Sequence, residues 1–193
     1  MFEGIDACGK STQARRVADQ RGARFAFEPG DTPLGVELRG WLLNAAAPMS
    51  SVTEALLMLA DRSHHVATVI GPSLARGTHV MADRFYASTL AYQGYGRGVD
   101  LEDLEAATEL AIGDCVPDLT VLIDIDIDTA NERRARNAED RFESADVEFH
   151  DRVRTGYLEM AARDPAHWFV VDGRGTFEEV ADVIDGRLGD LHW

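Results

Sequence analysis

Lysine is almost absent from this chain. Of the 19 basic residues among 193, one is lysine, Lys10, and the rest are arginine. Acidic residues number 34, so the formal charge is −15. A surface of that sign repels nucleic acid and anionic lipid, which argues against a DNA-binding module or a membrane-surface protein. It also repels nucleotide phosphates unless the cations are gathered in one place. Cysteine is scarce too: Cys8 and Cys115 stand without a CxxC spacing. Neither a disulfide framework nor a zinc knuckle is suggested, and a reducing cytoplasm is the expected address. No apolar run approaches the roughly 18 residues of a membrane span, and the first residues do not read as a signal peptide. Repeats, low-complexity tracts and linkers are missing. The length fits one domain, 1–193.

What is present alternates between short apolar runs and amphipathic stretches, the pattern of an α/β fold with a parallel sheet covered by helices. Thr78–Asp83, Leu119–Asp124 and His167–Asp172 each read as a buried strand that delivers a carboxylate to the sheet edge, with Phe25–Glu28 a weaker case. Capping boxes at Ser51/Glu54, Thr129/Glu132 and Thr176/Glu179 mark helix starts, and Asp100 caps a helix over Leu101–Ile112. Phe149, Val153, Tyr157 and Met160 recur at helical spacing before Pro165, as a core-facing stripe would.

The solitary lysine sits in Gly4-Ile5-Asp6-Ala7-Cys8-Gly9-Lys10-Ser11, which matches the phosphate-binding P-loop pattern and continues into Thr12. Glycines let successive backbone N–H groups face one anion, and the following helix points its positive end at it. Lys10 is expected on the β- and γ-phosphates of ATP and Ser11 on Mg²⁺. Cys8, just before Gly9-Lys10 at a helix N-terminus, reads either as a small filler replacing alanine or glycine or as a reactive thiol that nucleotide protects. A second cluster follows the strand at Met81. Asp83 can hold Mg²⁺ through water, Arg84 can bridge two phosphates, and Ser88, Thr89 and Gln93 can read a base edge. The third places Arg133, Arg134, Arg136 and Arg141 within nine residues. It is either a solvated face or a lid, at about 133–146, that brings guanidinium groups to a transferring phosphoryl group.

Together these segments resemble the thymidylate kinases, bacterial type, of the P-loop nucleoside-monophosphate kinase family. Phe2–Thr12 is similar to the family P-loop, Glu28–Gly35 to its EPGGTPLG segment, Ala60-Asp61-Arg62 to its ADR motif, and Asp83–Gly98 to its signature. Pro117–Thr120 and Asp140–Glu143 resemble later landmarks. The resemblance implies a five-stranded parallel sheet in the order 2-3-1-4-5, usually in a homodimer, that transfers phosphate from MgATP to dTMP. It puts Asp6 near the sugar 3′-hydroxyl, Arg39 and Arg84 on the acceptor phosphate, and Arg62, Thr89 and Gln93 on thymine. Tyr92 would lie against the deoxyribose. With no arginine at Ala7 or Cys8, the lid is expected to supply the catalytic one. Met58 stands where an aromatic ring usually stacks on the base.

Another nucleoside-monophosphate or deoxynucleoside kinase is the alternative enzyme, and a non-catalytic nucleotide-binding protein the alternative class. Met1-Phe2-Glu3 makes a first strand roughly 10 Å long at about 3.3 Å per residue, short for the centre of a sheet. The natural protein is therefore expected to carry about four to six further apolar, β-branched residues before Phe2.

Overall fold

The computed structural model describes residues 1–44, 46, 48–134 and 147–189, with Arg134 described as backbone alone. The apolar runs form strands β1 (Phe2–Glu3), β2 (Arg24–Phe27), β3 (Val80–Asp83), β4 (Thr120–Asp124) and β5 (Trp168–Asp172). They make one parallel sheet in the order β2-β3-β1-β4-β5, as the resemblance implies. Phe2 pairs with Asp83 on one side and Val121 on the other, so the short β1 is central. The space between β3 and β4 beyond it is a cavity lined by Met1, Val80, Leu119, Ile70 and Leu74. Strand order reverses at β1, and ligands of open α/β sheets bind at such a point, outside the carboxyl ends of the strands.

Local chemistry sets most helix ends. Helix α1 (Lys10–Arg21) leaves the P-loop and stops at Gly22, which takes a left-handed conformation at φ 63°. Helix α2 (Pro33–Leu42) has proline in its first turn, and the Thr32 hydroxyl accepts from the Gly35 N–H at 2.9 Å. Helix α3 (Ser51–His65) runs on through a π-helical turn, Val66–Ile70, into α4 (Gly71–Ala75). Its cap is Ser50, which accepts from the Thr53 N–H, rather than Ser51. Helix α5 (Tyr86–Thr89) likewise passes into a π-helical segment, Leu90–Gly96. Asp100 caps α6 (Leu101–Ile112) on the N–H groups of Glu102 and Asp103. Helix α7 (Ile127–Arg134) is capped by Asp126 on the Thr129 N–H, so the expected box at Thr129 lies inside the helix. Helix α8 (Val147–Arg163) precedes β5, and α9 (Phe177–Gly189) carries the reciprocal Thr176/Glu179 box.

The core gathers Ile5, Val17, Leu122, Ile123, Ile125, Phe149, Val153 and Ile184 around the sheet. Two glycines allow α8 to approach the Leu90–Gly96 segment closely. A Cβ at Gly96 would stand 2.5 Å from the Phe149 ring, and one at Gly156 would stand 2.5 Å from the Tyr95 ring. This close contact carries Tyr157, the next residue on α8, into the crevice beside β1.

Candidate active site

The P-loop wraps the carboxyl end of β1. Gly4 has φ 141°, and a Cβ there would meet the Ile123 carbonyl oxygen at 2.5 Å, so this position needs glycine. Ala7 and Gly9 also lie at positive φ, 67° and 95°. Lys10 is buried; its ammonium donates to the Ile5 carbonyl at 3.3 Å and lies 3.7 Å from Asp6. Gly9, Ser11 and Thr12 are exposed, leaving the anion-facing end open.

Arg84 leaves β3 at φ 67°, the left-handed region. That turn aims its guanidinium across β1. It pairs with Asp6 and donates to the Gly4 carbonyl at 3.3 Å, Ser88 Oγ at 2.9 Å, Tyr92 Oη at 3.1 Å and Tyr157 Oη at 3.2 Å. The Tyr92 hydroxyl in turn donates to Asp6 at 2.8 Å. Behind this cluster lies Glu3, fully buried. It accepts from the Phe85 N–H at 2.8 Å, the Ser88 hydroxyl at 2.7 Å and the Tyr157 hydroxyl at 2.9 Å. Burial pushes its carboxyl up, and Arg84 with these hydrogen bonds pulls it back.

Next to Arg84 opens a cleft lined by Asp6, Glu28, Pro29, Arg39, Leu43, Met58, Arg62, Arg84, Ser88, Thr89, Tyr92 and Gln93. Its floor is a buried charge network. Arg62 donates to Glu28 at 2.9 Å, to Thr89 Oγ1 at 2.7 Å and to the Phe85 carbonyl at 2.8 Å. His65 bridges Glu28 (2.9 Å) and Asp31 (3.0 Å), and Arg24 holds Asp31 from outside. Burial pushes the His65 imidazole down, but Glu28 and Asp31 outweigh it and hold its pKa above the ordinary value. Arg39, at the exposed rim, donates to the Pro29 carbonyl at 2.8 Å.

A phosphate loop joined at a strand-order switch to a cleft lined by three arginines is the architecture of a nucleotide phosphotransferase. The thymidylate kinase family model matches residues 2–184. The chain belongs to the thymidylate kinase family. It is similar to a thymidylate kinase of Burkholderia vietnamiensis, 46% identical over 98% of this chain and 96% of the relative. One from Geobacter sulfurreducens is 41% identical over 97% and 96%. The crystal structure of thymidylate kinase from Ehrlichia chaffeensis superposes with a TM-score of 0.80 at 32% identity, covering 97% of this chain and 96% of that one.

All nine residues expected at the monophosphate line the cleft: Asp6, Arg39, Met58, Arg62, Arg84, Ser88, Thr89, Tyr92 and Gln93. The structure brings Arg133 to the P-loop as well. It donates to the Ala7 carbonyl at 3.4 Å and the Gly173 carbonyl at 2.9 Å. Arg136 and Arg141, and most of the expected lid, lie outside the described residues. Asp83 Oδ1 is buried with no hydrogen-bond partner among the described residues, a fit for a water on a bound cation. No group of three His, Cys, Asp or Glu side chains able to hold a metal occurs among the described residues, so a cation here would lean on phosphate oxygens.

Sequence reasoning gave no site role to Glu3, Asp61, His65 or Tyr157, although Asp61 stands in the Ala60-Asp61-Arg62 motif and Tyr157 in the core-facing stripe of α8. A lone acid or histidine inside an apolar pattern does not announce its partners. Only the sheet order and the approach of α8 reveal their partners.

Cys8 takes the filler reading. It is 3% exposed, with its sulfur where a Gly4 Cβ would crowd it at 2.8 Å. Burial pushes its thiol up and outweighs Lys10, so the residue is a small filler rather than a thiolate. In native protein near neutral pH, a thiol reagent should leave Cys8 unmodified, and MgATP should not change that; labelling should require denaturant. Fast native labelling at Cys8, read by peptide mass, would contradict the burial argument.

Asp61 supplies a pH prediction. Burial, with Glu28 beside it, pushes its carboxyl from 3.8 up to about 6, while His65, Arg62 and the Gly30 N–H oppose the shift. The folded state therefore prefers the protonated acid. That stabilisation is full below pH 3.8 and is lost as pH rises through about 6. Asp61→Asn keeps the group neutral. Its melting temperature should exceed the parent's by a few degrees at pH 8, with the gap closing towards pH 4. A gap that does not vary with pH would refute this assignment.

Proposed function

We propose that this chain moves the γ-phosphate of ATP onto dTMP, giving dTDP and ADP. The observation that carries this reading is the cleft itself: every residue that the family pattern assigns to the monophosphate meets there, beside Lys10 and Arg84. Phosphoryl transfer of this kind needs positioning and charge neutralisation more than a general base.

In this reading the P-loop N–H groups and the α1 N-terminus cradle the ATP phosphates, and Lys10 neutralises the β- and γ-oxygens. Arg84 exchanges its internal partners for the acceptor phosphate, with Arg39 closing from the rim. Asp6 takes the sugar 3′-hydroxyl. Tyr92, fixed by its hydrogen bond to Asp6, lies against the deoxyribose and disfavours a 2′-hydroxyl. Met58 contacts the ring face, and Arg62, Thr89 and Gln93 meet the base edge. Ser11 and Asp83 would hold Mg²⁺, which supplies charge neutralisation between the β- and γ-phosphates when bound. Arg133, Arg136 and Arg141 are the candidates for the lid arginine acting on the transferring group. The assembly is a homodimer in this reading. The exposed apolar side chains of α2 and α3, Leu34, Trp41, Val52 and Leu56, support a second copy packing there. Sedimentation at micromolar concentration should therefore give twice the chain mass; a monomer would remove this element.

Coupled ADP release should respond to dTMP far above dCMP, AMP or GMP. Lys10→Ala and Arg84→Ala should each lose roughly 10²-fold or more in turnover, with circular dichroism unchanged, because each removes a phosphate clamp. Alanine at Arg133, Arg136 or Arg141 should, for at least one of them, lower kcat with little change in the KM for ATP. Near-normal turnover in Lys10→Ala would take the P-loop out of the mechanism.

A further inference from the structure

A glutamine on a base edge is ambiguous, because its amide offers an acceptor and two donors. Which of them faces the ring decides which pyrimidine fits. Thymine and uracil carry a donor at N3, whereas cytosine carries an acceptor there and an amino group next to it.

The chain resolves this ambiguity from behind the site. Gln93 Nε2 donates to Glu54 Oε1 at 2.9 Å, and both side chains are buried. Arg97 approaches the same carboxylate oxygen, with Nε at 3.4 Å. A carboxylate held against a guanidinium accepts and does not donate. Turning the Gln93 amide over would set amide oxygen against carboxylate oxygen in a buried place, a repulsive contact in which the hydrogen bond between them is lost. Nε2 is therefore committed to Glu54, and Oε1 is what Gln93 offers to the cleft that it lines. Glu54 and Arg62 both lie on α3, eight positions apart with Met58 midway. One helical face thus supplies the ring contact, the guanidinium and the residue behind the glutamine.

Resting on the reading of Gln93 as a base-edge residue, we propose that Glu54 is a positioning residue that sets pyrimidine specificity. It locks the Gln93 amide with its oxygen towards the base, so that the cleft accepts an N3–H ring and refuses cytosine. A site that presents a fixed buried hydrogen-bonding group rejects a mismatched ligand strongly, because the group is otherwise left unpaired.

Glu54→Gln tests this, since the new amide can donate as well as accept and so permits Gln93 to turn over. The dCMP-to-dTMP ratio of kcat/KM should rise about 10-fold or more. The dUMP-to-dTMP ratio should not move, because both bases carry N3–H, and the KM for MgATP should stay constant. A folded variant that loses dTMP activity but keeps the parent dCMP-to-dTMP ratio would reduce Glu54 to a structural role and overturn the proposal. Gln93→Leu separates the underlying reading: if it keeps full kcat/KM for dTMP, Gln93 does not touch the base, and the proposal falls with that reading. Should Glu54→Gln fail to fold, the unsubstituted enzyme decides by NMR. A through-hydrogen-bond coupling from ¹⁵N-labelled N3 of dTMP to the Gln93 side-chain carbonyl carbon is expected. Contacts from the Gln93 amide protons to the base, without that coupling, would overturn the assignment.

Discussion

The phosphate end of this molecule depends on one buried carboxylate. Glu3 closes the two-residue central strand and is inaccessible to solvent. Its two oxygens take hydrogen bonds from the turn after β3, from Ser88 on α5, and from α8. A charge so placed is costly unless every lone pair is met, and here the turn that aims Arg84 is what meets them. Arg84 holds a left-handed conformation that a non-glycine residue adopts only under constraint. Glu3, Ser88 and Tyr157 supply that constraint, and Arg84 then spans from the P-loop to Tyr92.

The same principle organises the rest of the cleft. Glu28, His65, Asp31, Arg24 and Arg62 form an alternating chain of charges under the cleft. It fixes the loop after β2 against α3 and presents Arg62 with its donors already engaged on Thr89 and the Phe85 carbonyl. Both clusters serve pre-organisation more than net stability, since buried ion pairs contribute little beyond their desolvation. In a chain with a formal charge of −15, Lys10, Arg39 and Arg84 place cations at the phosphate loop and the cleft.

Much of this was legible in the residues. The P-loop pattern, the strand runs, the Asp100 and Thr176 caps and the Asp83-Arg84 cluster are local statements. Each follows from backbone chemistry within a few positions. The helix caps at Ser50 and Asp126 were misread by one and three residues, because several adjacent polar side chains could each have served and the surrounding fold decides which does. The π-helical turns at Val66–Ile70 and Leu90–Gly96 left no mark, since an inserted residue in a helix alters no local preference.

By itself, then, the sequence determined the fold class, the phosphate-loop pattern and which residues were to be sought together in one cleft, because those depend on residue type at short spacing. Tertiary structure alone decided the state of each group. Cys8 is a buried filler because the fold encloses it, although a position just before Gly9-Lys10 left a reactive thiol open. Asp61 keeps its proton to about pH 6 because Glu28, 33 positions earlier, is folded against it in a place that water does not reach. Gln93 offers one face of its amide because Glu54, on a different helix, holds the other. Burial and long-range charge act through space, and no spacing along the chain encodes them.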